Sequence, residues 1–404
     1  MNAILDNEQV AGRAAADRLC ASWPSIDWAP KTPTIAWAKG AVERFGEIVR
    51  DQLPIFRASQ KGAEKSAGTL SPRPYQGLSE TLQNADDLSA TELRVAFRSM
   101  PRRELLIVHN GRPVVLKDMG AMVLPWLSAK DDDDEASGRF GIGQKTLKAL
   151  GDPLAMHCSP FHFEMLVEGP ASVPPEAEIP GLYSPTSRDT MVVVPLTPFV
   201  DAEGILAAVT EMGVESLLFL KSVHKLSFRD LDRQASLVLF ELQETEKRTL
   251  YLPLGNEKIE VEKSDFEVLT PESSRGSRFR RYWTRRSTPS GQERANKATG
   301  PFTPLGLCVS LTAGAQGRLY DRVPMPIAMD FPISLNAQFD PDAARSTILP
   351  LDWNKYRFAD LGSLLGSAAL SGFDQQPATG WAHVPLTREL PEAPGWIQER
   401  LLNE

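Results

Sequence analysis

Apolar residues recur at helical spacing in the first sixty residues, and short apolar runs typical of strands follow them. GRAAADRLCASW and IAWAKGAVERFGEIVRDQL predict amphipathic helices. Residues 104–117 read as an apolar strand, a turn at Asn110-Gly111 and a second apolar run. FHFEMLVEG (161–169) and TMVVVPL (190–196) predict two more strands. The mixture of helices and strands predicts an α/β protein.

The pattern changes after about residue 225. EGILAAVTEMGVESLLFLK predicts a helix that runs towards a strand, whereas KLSFRDL, SLVLFELQE and RTLYLPL predict three strands in succession. This change predicts a helical extension over 1–29, a first α/β domain over 30–225 and a second α/β domain over 226–404. No internal repeat with a period of 20 to 50 residues is visible.

Composition narrows the class of protein. The chain is 42% hydrophobic and 24% charged, with a net charge of −8, which is ordinary for a globular protein and disfavours a surface coated by nucleic acid. Three cysteines without metal spacing predict reduced thiols. No stretch approaches the ~18 apolar residues of a membrane helix, so we expect no membrane partner and a cytoplasmic protein. The end of the chain has no closing feature, which leaves open that it belongs to a longer protein.

Two segments carry chemistry. In SETLQNADD, Glu80 and Asn84 stand one helical turn apart and therefore share a helix face. A carboxylate can polarise a water molecule, and a carboxamide oxygen suits Mg²⁺. The run SGRFGIGQKT (137–146) can present bare backbone N–H groups to phosphates. Together they predict a site for ATP and Mg²⁺, although no Walker A motif occurs in the chain.

The order of these motifs resembles the GHKL ATPase superfamily, and within it the sacsin-type and heat-shock-chaperone-type ATP-binding domains. The likeness extends through SLLFLKSVHKLSF (216–228) and FPISLNAQFDPDAARSTI (331–348), and it covers most of residues 75–360. The matched motifs are the helix from Glu80 to Asp87, HNG at 109–111, Ser128 and Lys130 leading to Gly138-x-Phe140-Gly141-Ile142-Gly143, and Thr190.

The resemblance implies a two-layer α/β sandwich with a mixed sheet for the ATP-binding domain, followed by a transducer-like α/β domain. It implies that Glu80 orients the attacking water, that Asn84 is the Mg²⁺ ligand and that Asp87 supports the pocket. A second-domain residue, Arg345, would reach the γ-phosphate; the alternative is a structural pairing with a nearby aspartate.

The resemblance also implies a set of nucleotide-binding residues in the lid and in the strand that follows it. Lys145 is either a phosphate ligand or a solvated lysine at a helix start, and Thr190 either bonds near the adenine or is an ordinary strand residue. The remaining residues that the resemblance places in the nucleotide site are Ser128, Lys130, Gly138, Phe140, Gly141, Ile142 and Gly143, with Phe140 packed beneath the glycines.

One departure concerns the base. Most GHKL proteins have an aspartate in D-x-G-x-G that reads the adenine amino group, but here His109 stands at that position and Pro113 replaces the second glycine. A neutral histidine offers one donor and one acceptor. Base selectivity therefore stays open, with His109, Asn110, Gly111 or another backbone group as the reader of the base.

The predicted function is Mg²⁺-dependent ATP binding with slow hydrolysis to ADP and phosphate, driving closure of a lid over 118–140 and a conformational or dimer switch. A chaperone-like role with a protein client leads, and a defence-associated role is a guess. The alternatives are a nucleotide-binding regulator without turnover and a nucleic-acid-linked ATPase of the MORC or MutL kind. For the latter, the arginine-rich run from Arg275 to Arg286 would contact nucleic acid; its alternatives are a solvent-facing strand or a protein-docking patch.

Overall fold

A computed structural model gives the structure of the chain. Its contacts divide the chain into two compact units: Met1–Glu211 with Lys221–Val238 form unit 1, and Met212–Leu220 with Leu239–Glu404 form unit 2. The residues that the structure describes are 2–22, 29–51, 76–123, 147–198, 200–233, 235–270, 277–288, 294, 300–312, 317–329, 333–342, 347–375 and 395–402.

The first two helices of unit 1, α1 (Asn2–Ser22) and α2 (Ile35–Asp51), pack against each other. Their contact needs glycine, because a Cβ at Gly12 would lie 1.9 Å from the carbonyl oxygen of Trp37. α2 is amphipathic and buries Val42 and Phe45 in the core. The helices of this unit are α1 (Asn2–Ser22), α2 (Ile35–Asp51), α3 (Gln76–Asp87), α4 (Leu116–Val123) and α5 (Ala202–Met212), with a short 3₁₀ turn at Leu147–Ala149.

Unit 1 contains a mixed sheet in the order β7-β1-β2-β6-β3-β4-β5. β1 runs parallel to β7, and the other neighbouring pairs are antiparallel. β2 is buried along its whole length, as expected of the apolar run ELLIVH in a central strand. The strands are β1 (Glu92–Arg98), β2 (Glu104–His109), β3 (Leu154–Cys158), β4 (Phe161–Leu166), β5 (Gly169–Ser172), β6 (Thr190–Pro195) and β7 (Lys225–Asp230).

The sheet of unit 1 has two different faces, because successive side chains on a strand point to opposite sides. Phe161 points to the side on which α2 lies, and its ring meets that of Trp37 edge-on at 6.1 Å; this side is called the helix-side face. Val108 and Met191 are paired across β2 and β6 on the other side. This side, called the opposite face, is covered by a loop segment over 179–189.

Unit 2 is built around mixed strands in the order β13-β12-β14-β11-β10-β9-β8. Helix α6 packs on it, and Phe358 stacks on Phe339 at a ring distance of 4.7 Å. Its strands and helices are β8 (Ala235–Leu254), β9 (Glu257–Leu269), β10 (Arg278–Ser287), β11 (Phe302–Ser310), β12 (Gly317–Asp321), β13 (Val323–Met329), β14 (Ile333–Ala337), α6 (Asp352–Gln375) and α7 (Gly395–Leu402), with a 3₁₀ turn at Val214–Leu217.

These elements confirm the predicted α/β class with a mixed sheet and helices. One prediction of local structure is wrong: SLVLFELQE and RTLYLPL belong to the single long strand β8, whose pairing with β9 is irregular between Glu244 and Glu246. The predicted domain bounds stay predictions. Among the described residues, no helix combines the length and the apolar content that crossing a bilayer requires.

Candidate functional site

Helix α3 carries Glu80 and Asn84, the predicted catalytic carboxylate and the predicted Mg²⁺ ligand. Leu78, Leu82 and Ala85 are fully buried and attach the helix to unit 1. Glu80 and Asn84 are both half-buried, and their spacing of four residues puts them on one face. The carboxylate and the carboxamide therefore lie side by side at the edge of the core, where solvent or a ligand can reach them.

The end of α3 is fixed by a Schellman motif. Ala90 N–H donates to the Ala85 carbonyl at 2.9 Å, Ser89 N–H donates to the Asp86 carbonyl at 2.9 Å, and Ser89 adopts a φ of 58°. The chain leaves this cap directly into β1. The cap therefore sets the position of α3 relative to the central strands of the sheet.

The turn after β2 packs on this helix end. The N–H of Arg112 donates to the Leu88 carbonyl at 2.8 Å. A Cβ on Gly111 would lie 2.8 Å from the same oxygen, so only glycine allows this approach. The predicted HNG motif and the predicted acid-and-Asn helix, which are more than twenty residues apart in sequence, therefore come together.

Asn110 serves the fold in this turn. Its Oδ1 accepts hydrogen bonds from the N–H groups of Thr91 (2.9 Å) and Glu92 (3.2 Å), and its Nδ2 donates to Thr91 Oγ1 at 2.7 Å. Both ends of the carboxamide are thus used to hold the turn against the start of β1. Because the carboxamide of Asn110 is engaged in this way, His109 and the backbone remain as the groups that could read a base.

His109 ends β2 and stands directly opposite Thr190 in β6, which puts both side chains on the helix-side face. It is 5% exposed. Burial, and secondarily the positive charge of Arg94, lowers the pKa of His109 to about 4, so the ring is neutral at pH 7. The N–H of Gly111 donates to its Nδ1 at 3.3 Å. The ring proton therefore sits on Nε2.

Thr190 is 2% exposed, and among the described residues its hydroxyl meets no oxygen or nitrogen partner and lies beside the thiol of Cys158, a weak hydrogen-bonding group. The hydroxyl oxygen therefore keeps the capacity to accept a hydrogen bond from a ligand. Cys158 lies on the same face; its Sγ accepts the N–H of Val114 at 3.2 Å, and burial raises the pKa of its thiol. His109, Cys158 and Thr190 thus place three neutral side chains at this end of the helix-side face.

Asp86 is a residue that the sequence analysis did not assign a role. It is 1% exposed, and its carboxylate accepts the N–H groups of Lys221 (3.1 Å), Ser222 (2.7 Å) and Val223 (3.1 Å). This cluster ties α3 to the segment that precedes β7. The partners are more than 130 residues away, so no local pattern could have distinguished Asp86 from its neighbour Asp87, which is half-buried on the same helix.

Several predicted site residues lie outside the described part of the chain, and their roles stay predictions. Asn84 likewise stays a predicted Mg²⁺ ligand. Among the described residues, no group of three or more His, Cys, Asp or Glu side chains could hold a metal ion. The predicted residues outside the described ranges are Ser128, Lys130, Gly138, Phe140, Gly141, Ile142, Gly143, Lys145 and Arg345.

The part of the arginine-rich run from Arg278 to Arg286 belongs to β10, and much of its charge is used within unit 2; Arg275 lies outside the described residues. Arg280 is 5% exposed and makes a bidentate pair with Asp265, with both N–O distances at 2.7 Å. Arg281 donates to the Leu218 carbonyl at 3.1 Å and lies over the ring of Phe266. Tyr282 is buried in the core. These contacts do not favour a nucleic-acid role for the buried part of this strand.

Comparisons with known proteins give only remote structural similarity. No protein-family profile matches the chain, and no curated protein matches it. The topoisomerase IV ATP-binding domain of Francisella tularensis, solved with a small-molecule inhibitor, is 10% identical with a TM-score of 0.41, covering 85% of this chain and 96% of that one. The N-terminal domain of a DNA repair protein is 10% identical with a TM-score of 0.38, covering 78% and 98%. At these values we rest no argument on either similarity.

Proposed function

We propose that this chain binds ATP with Mg²⁺ and hydrolyses it slowly to ADP and phosphate. The observation that carries the proposal is the meeting of three sequence motifs in unit 1. The cap of α3 holds the HNG turn through Leu88 and Arg112, and the turn places His109 opposite Thr190. The buried hydroxyl of Thr190 lies beside the Cys158 thiol, and its oxygen can still accept a hydrogen bond from a ligand.

The roles follow from the positions along α3. Glu80 is half-buried at the accessible edge of the core and would orient the attacking water. Asn84, one turn further, would bind Mg²⁺ through its Oδ1. When bound, Mg²⁺ neutralises phosphate charge and holds the phosphate oxygens in place. Asp87 would support the pocket, and Asp86 fixes the helix through the backbone of 221–223.

The glycine run at 138–143 would close over the phosphates with Lys145 beside it, and Arg345 would stabilise charge on the departing phosphoryl group. Nucleotide-dependent closure would then drive a conformational or dimer switch. A chaperone-like role with a protein client, and a location in the cytoplasm, belong to this proposal. A defence-associated role is the weakest part of it, because only the sequence resemblance supports it.

Calorimetric titration of Mg·ATP into the full chain tests the proposal. We expect saturable binding that is lost in Asn84→Ala and retained in Ser79→Ala, a half-buried neighbour on the same helix. Glu80→Gln should bind Mg·ATP but release no phosphate above background. If wild-type protein binds without turnover and Glu80→Gln behaves identically, the chain is a nucleotide-binding regulator and the hydrolase assignment is wrong. A folded protein that binds no nucleotide overturns the whole proposal.

A further inference from the structure

His109 reverses the hydrogen-bonding polarity of the position that it occupies. The resemblance places it where related sequences carry an aspartate, and an ionised aspartate can only accept hydrogen bonds. In this chain Nδ1 is already engaged as the acceptor of the Gly111 N–H at 3.3 Å. The neutral ring therefore carries its hydrogen on Nε2 and offers a donor to any group that approaches that edge.

In the described part of the chain near His109, the carboxylates of Asp118 and Asp189 already have partners. Asp118, which lies near Cys158, accepts from the Arg112 guanidinium at 2.6 and 2.9 Å and from the Val115 N–H at 3.0 Å. Asp189 directly precedes Thr190, but its carboxylate pairs with Arg94 at 3.1 Å and accepts the Ser184 N–H at 3.0 Å on the opposite face. The Oδ1 of Asn110 accepts two backbone N–H groups. At this end of the helix-side face, the described residues offer the Nε2–H donor of His109 and the hydroxyl oxygen of Thr190, which lies beside the Cys158 thiol.

Purine bases differ in what they present at position 6. A 6-aminopurine such as adenine presents N–H donors there and an acceptor at N1, whereas a 6-oxopurine such as hypoxanthine or guanine presents a carbonyl acceptor and an N1–H donor. A donor on the protein matches the carbonyl, and a threonine hydroxyl can accept from N1–H because it both donates and accepts. Two donors that face each other leave both unpaired, which is costly in a buried site.

We propose that the base end of this site, formed by His109 and Thr190, selects a 6-oxopurine nucleoside triphosphate over ATP. The inference rests on the proposed function, because it names the base that the same nucleotide site takes. In this view, the histidine at position 109 changes which base the site prefers, and base selectivity is retained. His109 is then a specificity-determining residue, and Gly111 is the residue that sets its tautomer.

Calorimetric titration of the full chain with Mg·ITP and Mg·ATP tests the inference, because these nucleotides differ only in the 6-substituent and the N1 hydrogen. We expect Mg·ITP to bind at least about tenfold more tightly, since the mismatch leaves buried donors unpaired. His109→Asp should reverse the preference. Equal affinities, or tighter binding of Mg·ATP by the wild-type chain, overturn the inference while the proposed nucleotide site stands. Binding of neither nucleotide overturns both.

His109→Asp introduces a buried charge, and a second approach does not depend on that variant folding. The nitrogen-15 shifts of the His109 ring in the ligand-free wild-type chain report which nitrogen is protonated. Protonation of Nε2 supports the inference, and protonation of Nδ1 overturns it. His109→Asn should reduce the Mg·ITP to Mg·ATP affinity ratio towards one because a carboxamide offers both polarities. The exposed His224 provides the control: His224→Asn should leave the ratio unchanged.

Discussion

The two faces of the sheet in unit 1 both carry buried polar side chains, but they use them differently. On the opposite face the charges meet partners: Arg94 pairs with Asp189, and Arg98 and Arg102 both bond Glu104 at 2.6 Å. On the helix-side face, the buried hydroxyl of Thr190 meets only the weakly bonding thiol of Cys158 among the described residues. Charged pairs hold the first face together, whereas the second face keeps neutral polar groups that a ligand can use.

The difference teaches how to separate structural from functional polar groups in this chain. Removing one member of a buried charge pair leaves the other charge uncompensated and is strongly destabilising. A buried hydroxyl beside a weak partner contributes little to stability but can bond a ligand. The division is not perfect, because on the opposite face the Nε of Arg94 and the hydroxyl of Tyr183 have no hydrogen-bond partner in the described part of the chain.

The largest effect is expected from breaking the charge pairs of the opposite face. Glu104 is 3% exposed, and Glu104→Ala would leave the half-buried guanidinium of Arg98 without its closest carboxylate. We expect the free energy of unfolding to fall by about 3–5 kcal/mol, measured by chemical denaturation. Glu178→Ala, at an exposed position near the same face, should change it by less than about 0.5 kcal/mol. Similar values for the two variants would show that these charges do not hold the sheet.

An intermediate effect is expected from the histidine pair of the opposite face. His157 and His162 are opposed across β3 and β4 with Nδ1 atoms 3.3 Å apart. Burial lowers the pKa of each to about 4, and for His157 the charge of Arg98 adds to this. The unfolded chain takes up protons near pH 6.5 but the folded chain does not, so stability is lost as pH falls from about 6.5 towards 4.

The size of this loss can be measured as the difference in unfolding free energy between pH 7 and pH 5. We expect about 1–2 kcal/mol for each of the two histidines. The double variant His157→Gln/His162→Gln should lose less stability over this range than the wild type. His109, whose pKa is also lowered to about 4, contributes in the same window and remains in the variant. His224→Gln is the control, and an unchanged pH dependence in the double variant would contradict the assignment.

The smallest effect on stability is expected on the helix-side face. Thr190→Val removes a hydroxyl whose partner among the described residues is the weakly bonding thiol of Cys158, so the free energy of unfolding should change by less than about 0.5 kcal/mol. Nucleotide affinity should nevertheless fall about tenfold by calorimetry. The matched variant Thr284→Val removes a buried strand hydroxyl that donates to the Glu260 carbonyl, and it should lose about 1 kcal/mol. Loss of stability without loss of affinity in Thr190→Val would make Thr190 a structural residue.

Much of the fold was readable from local pattern. Strand β2 and the strand that starts at Thr190 were predicted from runs of apolar residues, and α2 from helical periodicity. The long strand β8 was not, because charged residues at its centre break the apolar pattern where the strand continues. The arginines of β10 suggested an exposed patch, but Arg280 meets Asp265, which lies fifteen residues earlier in the neighbouring strand.

The sequence by itself determined which side chains could do chemistry: the spacing of Glu80 and Asn84, the histidine at position 109 and the glycine at position 111. Only the tertiary structure decided what these residues meet. The tautomer of His109 depends on the Gly111 N–H, the hydroxyl of Thr190 meets the thiol of Cys158 in the neighbouring strand, and the role of Asp86 depends on backbone at 221–223. Hydrogen bonds and burial are set by groups that are distant in sequence, and the pattern within a segment carries no information about them.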